Sequence, residues 1–448
     1  MSKHYSGSML LSLSIQNFRS FGDETTLDLQ RRSFKTQRPR EGETWTENTW
    51  RRAAIFGANA AGKSNVLRAL SQLNLSVKNS LTDERFVRRL RDPHLLRTDR
   101  PTSFELEYVN IDVRYRWGVT VDKQGVVEEY LEANPKSRWR LIFERDRDTV
   151  VFGPGSGLSH AAKENIEQFM RPWALVLSAW GTVKTPGKNA GALHWWTKLL
   201  PLIVTDSADQ DNRHQWLVDL AKKDPSWLNV LRMVVSVADV GIDDIGIEEK
   251  APEAIKSLNL IIQPDGKAEI SQEVEADLII EYLHYILFVH KSGDREFSLP
   301  EEQESQGTRT WMDLAVPAIF ALAVGGVMSV DEIDGSLHPM LVRELVSYFD
   351  TPDLNPHGAQ LLFTTHDLTL LGRHPVESLH RGEVWFVDKD ESFSELVALD
   401  EFPVREVHNI EKRYMQGVYG AVPVANQREL LATVNVLRAK YLGDQAQN

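Results

Sequence analysis

Gly57-Ala58-Asn59-Ala60-Ala61-Gly62-Lys63-Ser64 is the stretch from which the architecture of this chain can be read. It fits G-x-x-x-x-G-K-[ST], a glycine-rich loop whose backbone N–H groups close around phosphate oxygens. Arg52 to Phe56, before it, reads as a short buried strand. Asn65 to Leu81, after it, reads as a helix with Val66, Leu70, Leu73 and Val77 along one face. The loop therefore joins a strand end to a helix N-terminus, where free N–H groups and the helix dipole both favour an anion. The expected nucleotide contacts are Gly57, Asn59, Gly62, Lys63, Ser64 and Asn65. Lys63 can reach the β- and γ-phosphates, and the Ser64 hydroxyl can ligate Mg²⁺, so ATP and Mg²⁺ are the expected cofactors.

On the N-terminal side, Met9 to Phe18 alternates in the manner of a strand, with Leu11, Leu13 and Ile15 on one face. Asn17 to Phe21 reads as a turn, Thr25 to Leu29 as a returning strand, and Arg31 to Asn48 as a polar connection. Beyond the first helix, Phe104–Asn110, Val113–Val121, Val126–Ala133 and Arg138–Glu144 alternate as an antiparallel meander. From about Leu158 to Val240 the pattern is helical, with candidates at Ala162–Met170, His194–Val204, Gln215–Lys222 and Ser226–Ala238. Trp173, Trp180, Trp195, Trp196, Trp216 and Trp227 gather there and read as helix-packing residues. Gly181 to Gly191 reads as a mobile loop. Strand patterns resume from Ile242 to Val289, and a second α/β half runs from Glu301 onward.

At 448 residues there is ample material for a large core and two or three domains. The chain has no cysteine, which excludes disulfides, thiolate zinc sites and cysteine nucleophiles, and it suits a reducing cytoplasm. No apolar run approaches the roughly 18 residues of a membrane span, and Met1 to Ser8 lacks a signal-peptide core. The net charge of −13 repels nucleic acid at long range. Two segments run against it: Arg31, Arg32, Lys35, Arg38 and Arg40, and then Arg85, Arg88, Arg89, Arg91, Arg97 and Arg100. Each is equally a solvated or partner-facing surface and a phosphate-tracking patch.

Gly326 to Glu332 is an apolar strand ending in two carboxylates. Asp331 is placed to hold the Mg²⁺ shell, and Glu332 to orient and polarise the attacking water, two jobs that hydrolysis needs done together. Leu361-Leu362-Phe363-Thr364-Thr365-His366-Asp367 is a further apolar strand with a histidine at its end. In this order, after phosphate loop and carboxylate strand, His366 reads as a sensor of the γ-phosphate. Glu304-Ser305-Gln306-Gly307-Thr308 precedes a helix expected over Arg309–Val324. It reads either as an anion-holding turn or as a plain N-cap by Ser305 or Thr308.

Taken together, these motifs resemble the SMC/ABC-type ATPase heads, and within them the OLD-like AAA family ATPases of bacterial anti-phage operons, such as those of the PARIS system and the RloA-like group. The resemblance rests on Ile15-Gln16-Asn17-Phe18-Arg19-Ser20-Phe21, the phosphate loop, Glu304 to Thr308, Asp331 to Pro339, Thr364 to Asp367, and Asn409 to Tyr414 with Gly417 and Gly420. It implies an α/β fold: an ABC/SMC-type P-loop ATPase head with an antiparallel β-meander and an inserted helical domain. The implied domains are an N-terminal ATPase lobe at 9–157, a partner-docking helical insertion at 158–240, and a C-terminal ATPase lobe at 241–448. It further implies that Arg19 lies near the nucleotide, and that Ser305 and Gly307 touch the γ-phosphate held by a second copy. Ser336 to Pro339 falls where a dimer contact belongs. The signature turn reads Glu-Ser-Gln-Gly-Thr where the family has Leu-Ser-Gly-Gly-Gln.

Full OLD proteins carry a TOPRIM nuclease, which needs an early Glu and a later Asp-x-Asp. Asp388-Lys389-Asp390 has the second pattern without an upstream strand to carry the Glu, so it reads as solvent-facing acids at a strand end. By resemblance the chain is a cytoplasmic ATPase that forms ATP-sandwich dimers, acts as sensor or scaffold in anti-phage defence, and controls a separate effector of TOPRIM-nuclease type released by a phage trigger. The alternatives are a RecF- or SMC-like ATPase acting on DNA, and, last, an ABC transport ATPase.

Overall fold

The computed structural model describes residues 8–184, 187–198, 216–238, 242–249, 284–292, 295–372, 378–403, 409–420 and 427–442. Strand β1 (Met9–Gln16) pairs antiparallel with β2 (Thr25–Asp28). Between them Asn17 and Arg19 take left-handed backbone angles. The four-residue helix α1 (Trp45–Asn48) is closed by a Thr44–Glu47 capping box and leads into β3 (Arg52–Gly57). After the phosphate loop comes α2 (Lys63–Asn79), two residues earlier at each end than its periodicity suggests, and then the short α3 (Arg85–Arg88).

The meander follows as β4 (Thr102–Asn110), β5 (Val113–Val121), β6 (Val126–Asn134), β7 (Arg140–Asp146) and β8 (Thr149–Phe152). With β1 and β2 these form a seven-stranded antiparallel sheet in the order β2-β1-β4-β5-β6-β7-β8. One expectation fails here. Leu11 does not share a face with Leu13 and Ile15, because the register against β4 slips between Leu10 and Ser12. The extra residue of this bulge turns Leu11 toward Met9, Trp45 and Val109, while Leu10, Leu13 and Ile15 enter the main core.

Helices α4 (His160–Gln168), α5 (Val176–Trp180) and α6 (Ala190–Lys198) pack on this sheet. Tryptophans supply much of the contact. Trp195 stacks on Tyr108 with ring centres 4.6 Å apart, and Trp196 meets Trp117 edge to face at 5.1 Å. The fully buried Glu129 carboxylate accepts from the Val176 and Leu177 N–H groups at the start of α5 and from Trp117 Nε1. Burial pushes this carboxyl's pKa up, against the pull of the nearby buried Arg145 and of those N–H donors. The glycine-rich break is not loose at its far end. Asn189 Nδ2 donates to the Gly155 and Ser156 carbonyls, and the Gly191 carbonyl accepts from Asn110 Nδ2. Of the remaining expected helices, Ser226–Ala238 is present as α7, residues 216–223 are helical, and 199–204 lie outside the described residues.

Strands β9 (Ile242–Glu249), β10 (His284–Ser292) and β11 (Arg295–Pro300) form a separate three-stranded sheet. It leads into α8 (Gln306–Val324), whose Trp311 Nε1 donates to the Val234 carbonyl of α7. The last part supplies β12 (Val327–Val330), α9 (Pro339–Tyr348), β13 (Gln360–Thr364), β14 (Val384–Asp390) and β15 (Phe393–Ala398), then α10 (Ile410–Met415) and α11 (Gln427–Leu442). Asp388, Lys389 and Asp390 are exposed at the end of β14.

These late strands fold around the early β3. The five-stranded sheet runs β12-β13-β3-β14-β15, parallel except for β15. Both its faces are covered, so β3 and β13 are buried at every position, as continuous apolar runs in parallel sheets require. Ala53, Ile55, Leu362 and Val387 face the cluster shared with α2 and the meander. Ala54, Phe56, Phe363 and Phe386 face the cluster shared with α8 and α9. The result is an α/β head whose strand ends converge on the phosphate loop.

Candidate nucleotide site

Strand β3 delivers the chain to the loop, and the loop's conformation is one that glycine permits. Gly62 sits at φ +112°, and a Cβ there would stand 2.4 Å from Ser20 Oγ and 2.8 Å from Ser394 Oγ. At Gly57 a Cβ would meet the Val387 carbonyl oxygen at 2.6 Å. Asn59 and Ala60 form the exposed tip, Ala60 with φ +62°. Helix α2 then starts at Lys63 with no side chain capping its first N–H groups. Those donors are what a phosphate oxygen needs.

Lys63 folds back over the loop. Its Nζ donates to the Gly57 carbonyl at 3.0 Å and the Ala58 carbonyl at 3.2 Å, and lies 3.1 Å from His366 Nε2. The side chain is buried, which lowers the lysine's pKa, while Glu332, Asp331 and Asp334 pull it upward. Ser64 Oγ donates to Asp331 Oδ1 at 2.8 Å, and Thr364 Oγ1 donates to the same oxygen at 2.6 Å. The Thr364 hydroxyl also accepts from the Glu332 N–H at 2.7 Å. Glu332 is exposed and held at φ +52°, a conformation costly for a residue with a side chain and found where surroundings over-determine it. The His366 N–H lies 3.2 Å from both Asp334 oxygens, and the ring is exposed to the site.

A second ring of contacts holds the loop from outside. Asn65 Nδ2 donates to Ser20 Oγ at 2.9 Å, and Arg19 lies 3.5 Å from Asn65 Oδ1 while ion-paired with Asp92 at 2.8 Å. The buried Ser394 donates from its hydroxyl to the Ala61 carbonyl and from its N–H to the Ser20 carbonyl. The structure thus brings together Gly57, Gly62, Lys63, Ser64, Asn65, Arg19, Asp331, Glu332 and His366. Ser305 and Gly307 are not among them. Ser305 is exposed and caps α8, accepting from the Thr308 N–H at 3.0 Å, and a Cβ at Gly307 would meet only the Ser336 carbonyl and Ser305 Oγ. Just before them, the buried Glu304 pairs with His290 and accepts from the Ser305 N–H.

Thr364, Asp334, Ser20 and Ser394 are contributors that the motif reading left without a role. The first three lie inside quoted motifs. Ser394 carries no local signal, since its contact with Ala61 spans 333 residues of sequence.

The donor set suits a hard cation. Ser64 Oγ and Asp331 Oδ1 are adjacent oxygen donors of the kind Mg²⁺ takes, one or two from protein with the rest from phosphates and water. Among the described residues no cluster of three or more His, Cys, Asp or Glu is placed to hold a metal unaided. No helix of the described residues is long and apolar enough to cross a membrane.

A phosphate loop at the end of a central parallel strand, facing an Asp-Glu strand end and a strand-end histidine, defines a P-loop ATPase head. Residues 52–150 and 194–372 match the family described as "AAA domain, putative AbiEii toxin, Type IV TA system", and the chain belongs to that family. The unmatched interval between them carries α4 and α5. No curated protein matches the chain. Among solved structures, a crystal structure of an Smc head bound to the C-winged helix domain of ScpA is similar at 14% identity and TM-score 0.38, covering 88% of this chain and 98% of that one. An Smc head with an extended coiled coil bound to the C-terminal domain of ScpA, from Pyrococcus furiosus, is similar at 12% identity and TM-score 0.35, covering 88% and 97%.

Proposed function

We propose that this chain is a Mg²⁺-dependent ATP phosphohydrolase of ABC type, whose ATP-bound state is a sandwich of two copies. The observation that supports it best is the meeting of Lys63, Ser64, Asp331, Glu332 and His366 at one strand end. The loop N–H groups and Lys63 bind the β- and γ-phosphates. Ser64 and Asp331 would hold the cation, which would supply charge neutralisation for phosphoryl transfer. Glu332 orients the attacking water and accepts its proton, and His366 hydrogen-bonds the γ-phosphate. The exposed turn at Ser305 and Gly307 reaches the γ-phosphate held by the other copy.

In the finer reading, the chain is the sensor or scaffold subunit of an anti-phage system, docking a separate TOPRIM-type effector through residues 158–240. Its support is the resemblance carried by the motifs above. Both levels are tested together. Lys63→Ala should abolish ATP binding, and unchanged affinity would refute the loop assignment. Glu332→Gln should bind ATP normally but turn over on the order of 10²–10⁴-fold more slowly. Affinity purification of tagged Glu332→Gln from its native host should recover a large assembly with a co-encoded protein. A bare dimer, or a dimer carrying DNA, would instead favour an ATPase that acts on nucleic acid directly.

A further inference from the structure

The turn at Ser305 to Gly307 is presented to the outside between two buried anchors, Glu304 before it and Thr308 after it. Thr308 is tied within the turn. Its N–H donates to Ser305 Oγ at 3.0 Å, and the two hydroxyls lie 2.8 Å apart. Glu304 is tied to another part of the fold. One carboxylate oxygen meets Nε2 of His290 on β10, and the other accepts from the Ser305 N–H at 3.2 Å. A carboxylate only accepts, so Nε2 carries the proton. Among the described residues no Lys or Arg pairs with Glu304, so His290 is the side chain that makes its burial tolerable. The register between β9 and β10 slips beside this histidine, with Asp243 of β9 as the extra residue. A bulge sharpens the local twist and re-aims the side chains next to it. The His290 ring lies flat against Phe297, its cross-strand partner on β11, with centres 5.1 Å apart.

We propose that His290 is a positioning residue for ATP hydrolysis. By holding Glu304 it fixes the outward backbone of Ser305 and Gly307, which meets the γ-phosphate held by the second copy. The inference rests on the two-copy reading given above. That reading needs such a support, because an error of about 1 Å at a reacting centre costs on the order of 10²-fold in rate. Without His290 the buried carboxylate loses its side-chain donor and turns toward water, and the Ser305 N–H that it holds is released with it. Among the described residues His290 makes no hydrogen bond to Lys63, Ser64, Asp331, Glu332 or His366. Its effect is therefore on the nucleotide of the neighbouring copy, and the three-stranded sheet is the back support of the turn that reaches it.

The test uses the full chain. His290→Leu should leave the ATP affinity of the isolated chain within about twofold and lower kcat at least about tenfold. In the Glu332→Gln background it should also weaken the ATP-dependent pairing of copies. His290→Gln, whose side-chain N–H can stand in for Nε2, should restore most of kcat. Adding His290→Leu to Glu304→Ala should cost no more than Glu304→Ala alone, because the histidine acts through that carboxylate. Circular dichroism checks the fold, and if leucine is not tolerated His290→Asn, too short to reach Glu304, takes its place. Gly307→Asp separates the proposal from the reading beneath it. A Cβ there meets the Ser336 carbonyl at 3.4 Å, an ordinary contact, while the added carboxylate would repel a γ-phosphate. Parental turnover by Gly307→Asp would refute the two-copy reading, and the proposal with it. An inactive Gly307→Asp beside a His290→Leu of parental kcat would overturn the proposal alone. So would a folded His290→Gln that restores nothing, or a fully additive loss in the double variant.

Discussion

Thr364→Val keeps the outline of the side chain and removes one oxygen. That oxygen donates to Asp331 at 2.6 Å, accepts from the Glu332 N–H at 2.7 Å, and belongs to a fully buried residue. The substitution leaves a carboxylate and an amide N–H facing a methyl group. A hydrogen bond to a charged group contributes about 1.5–3 kcal/mol, and an unmet buried donor costs about 1–3 kcal/mol. Both acidic residues border the open site, where water can partly replace the hydroxyl, so the lower ends apply and the expected loss of stability is about 2.5 kcal/mol. The larger effect should be on turnover. Glu332 holds a left-handed backbone angle with this hydroxyl on its N–H, and a displacement of about 1 Å at the reacting centre costs on the order of 10²-fold in rate. ATP affinity should change little, because Lys63 and the loop N–H groups are untouched. Urea denaturation followed by tryptophan fluorescence gives the first quantity, and steady-state hydrolysis over a range of ATP concentrations gives the second. A kcat within about twofold of the parent, in a protein destabilised as expected, would show that the hydroxyl supports the fold without positioning either carboxylate.

Two further substitutions test the frame around the site. Glu129→Ala would strand Trp117 Nε1 and two N–H groups of α5 and remove the negative charge near the buried Arg145, and should cost about 3–5 kcal/mol in urea denaturation; a change below about 1 kcal/mol would mean that the helices dock without this anchor. His380 and Asp350 face each other at 3.7 Å, next to the buried Arg52–Glu383 pair. The neighbouring His380 ring, together with the Arg52 guanidinium 3.2 Å away, holds the Asp350 carboxyl down to about 2, and Asp350 in turn raises the His380 pKa. The histidine's contribution is full below its ordinary value of about 6.5 and is lost as pH rises through its raised folded value. The aspartate's contribution is present above about 4 and is lost as pH falls toward 2. His380→Ala should therefore destabilise the protein more at pH 5 than at pH 9, by thermal melting in matched ionic strength. An equal loss at both would show that its ring packing against Trp50, with centres 5.4 Å apart, is what matters.

What was legible in the sequence was whatever depends on near neighbours. The phosphate loop, its strand and its helix are a contiguous unit, and the Asp331-Glu332 and Thr364–His366 strand ends follow from apolar runs that stop at polar residues. The meander was legible because alternation survives in each strand separately. The bulge at Leu11 was not, since it is a property of two paired strands and leaves no mark on one of them. Gly181 to Gly191 read as loose because glycine is permissive, yet the far end is held by Asn189, which donates to the Gly155 and Ser156 carbonyls, and by Asn110, which donates to the Gly191 carbonyl. Ser394 was invisible for the same reason: a serine in a strand says nothing of the carbonyl it will meet.

That contact has a consequence for how the protein is made. Strand β3 leaves the ribosome early, but the strands that flank it, β13 and β14, and Ser394, which braces the loop from 333 residues away, are synthesised much later. Until then β3 has an apolar surface and two open edges. Long-range closure of this kind is slow and leaves such edges exposed to other chains. The nucleotide site is thus among the last parts of the molecule to be assembled, and a nascent or truncated chain ending before β14 lacks the strand beside the loop and the serine that braces it.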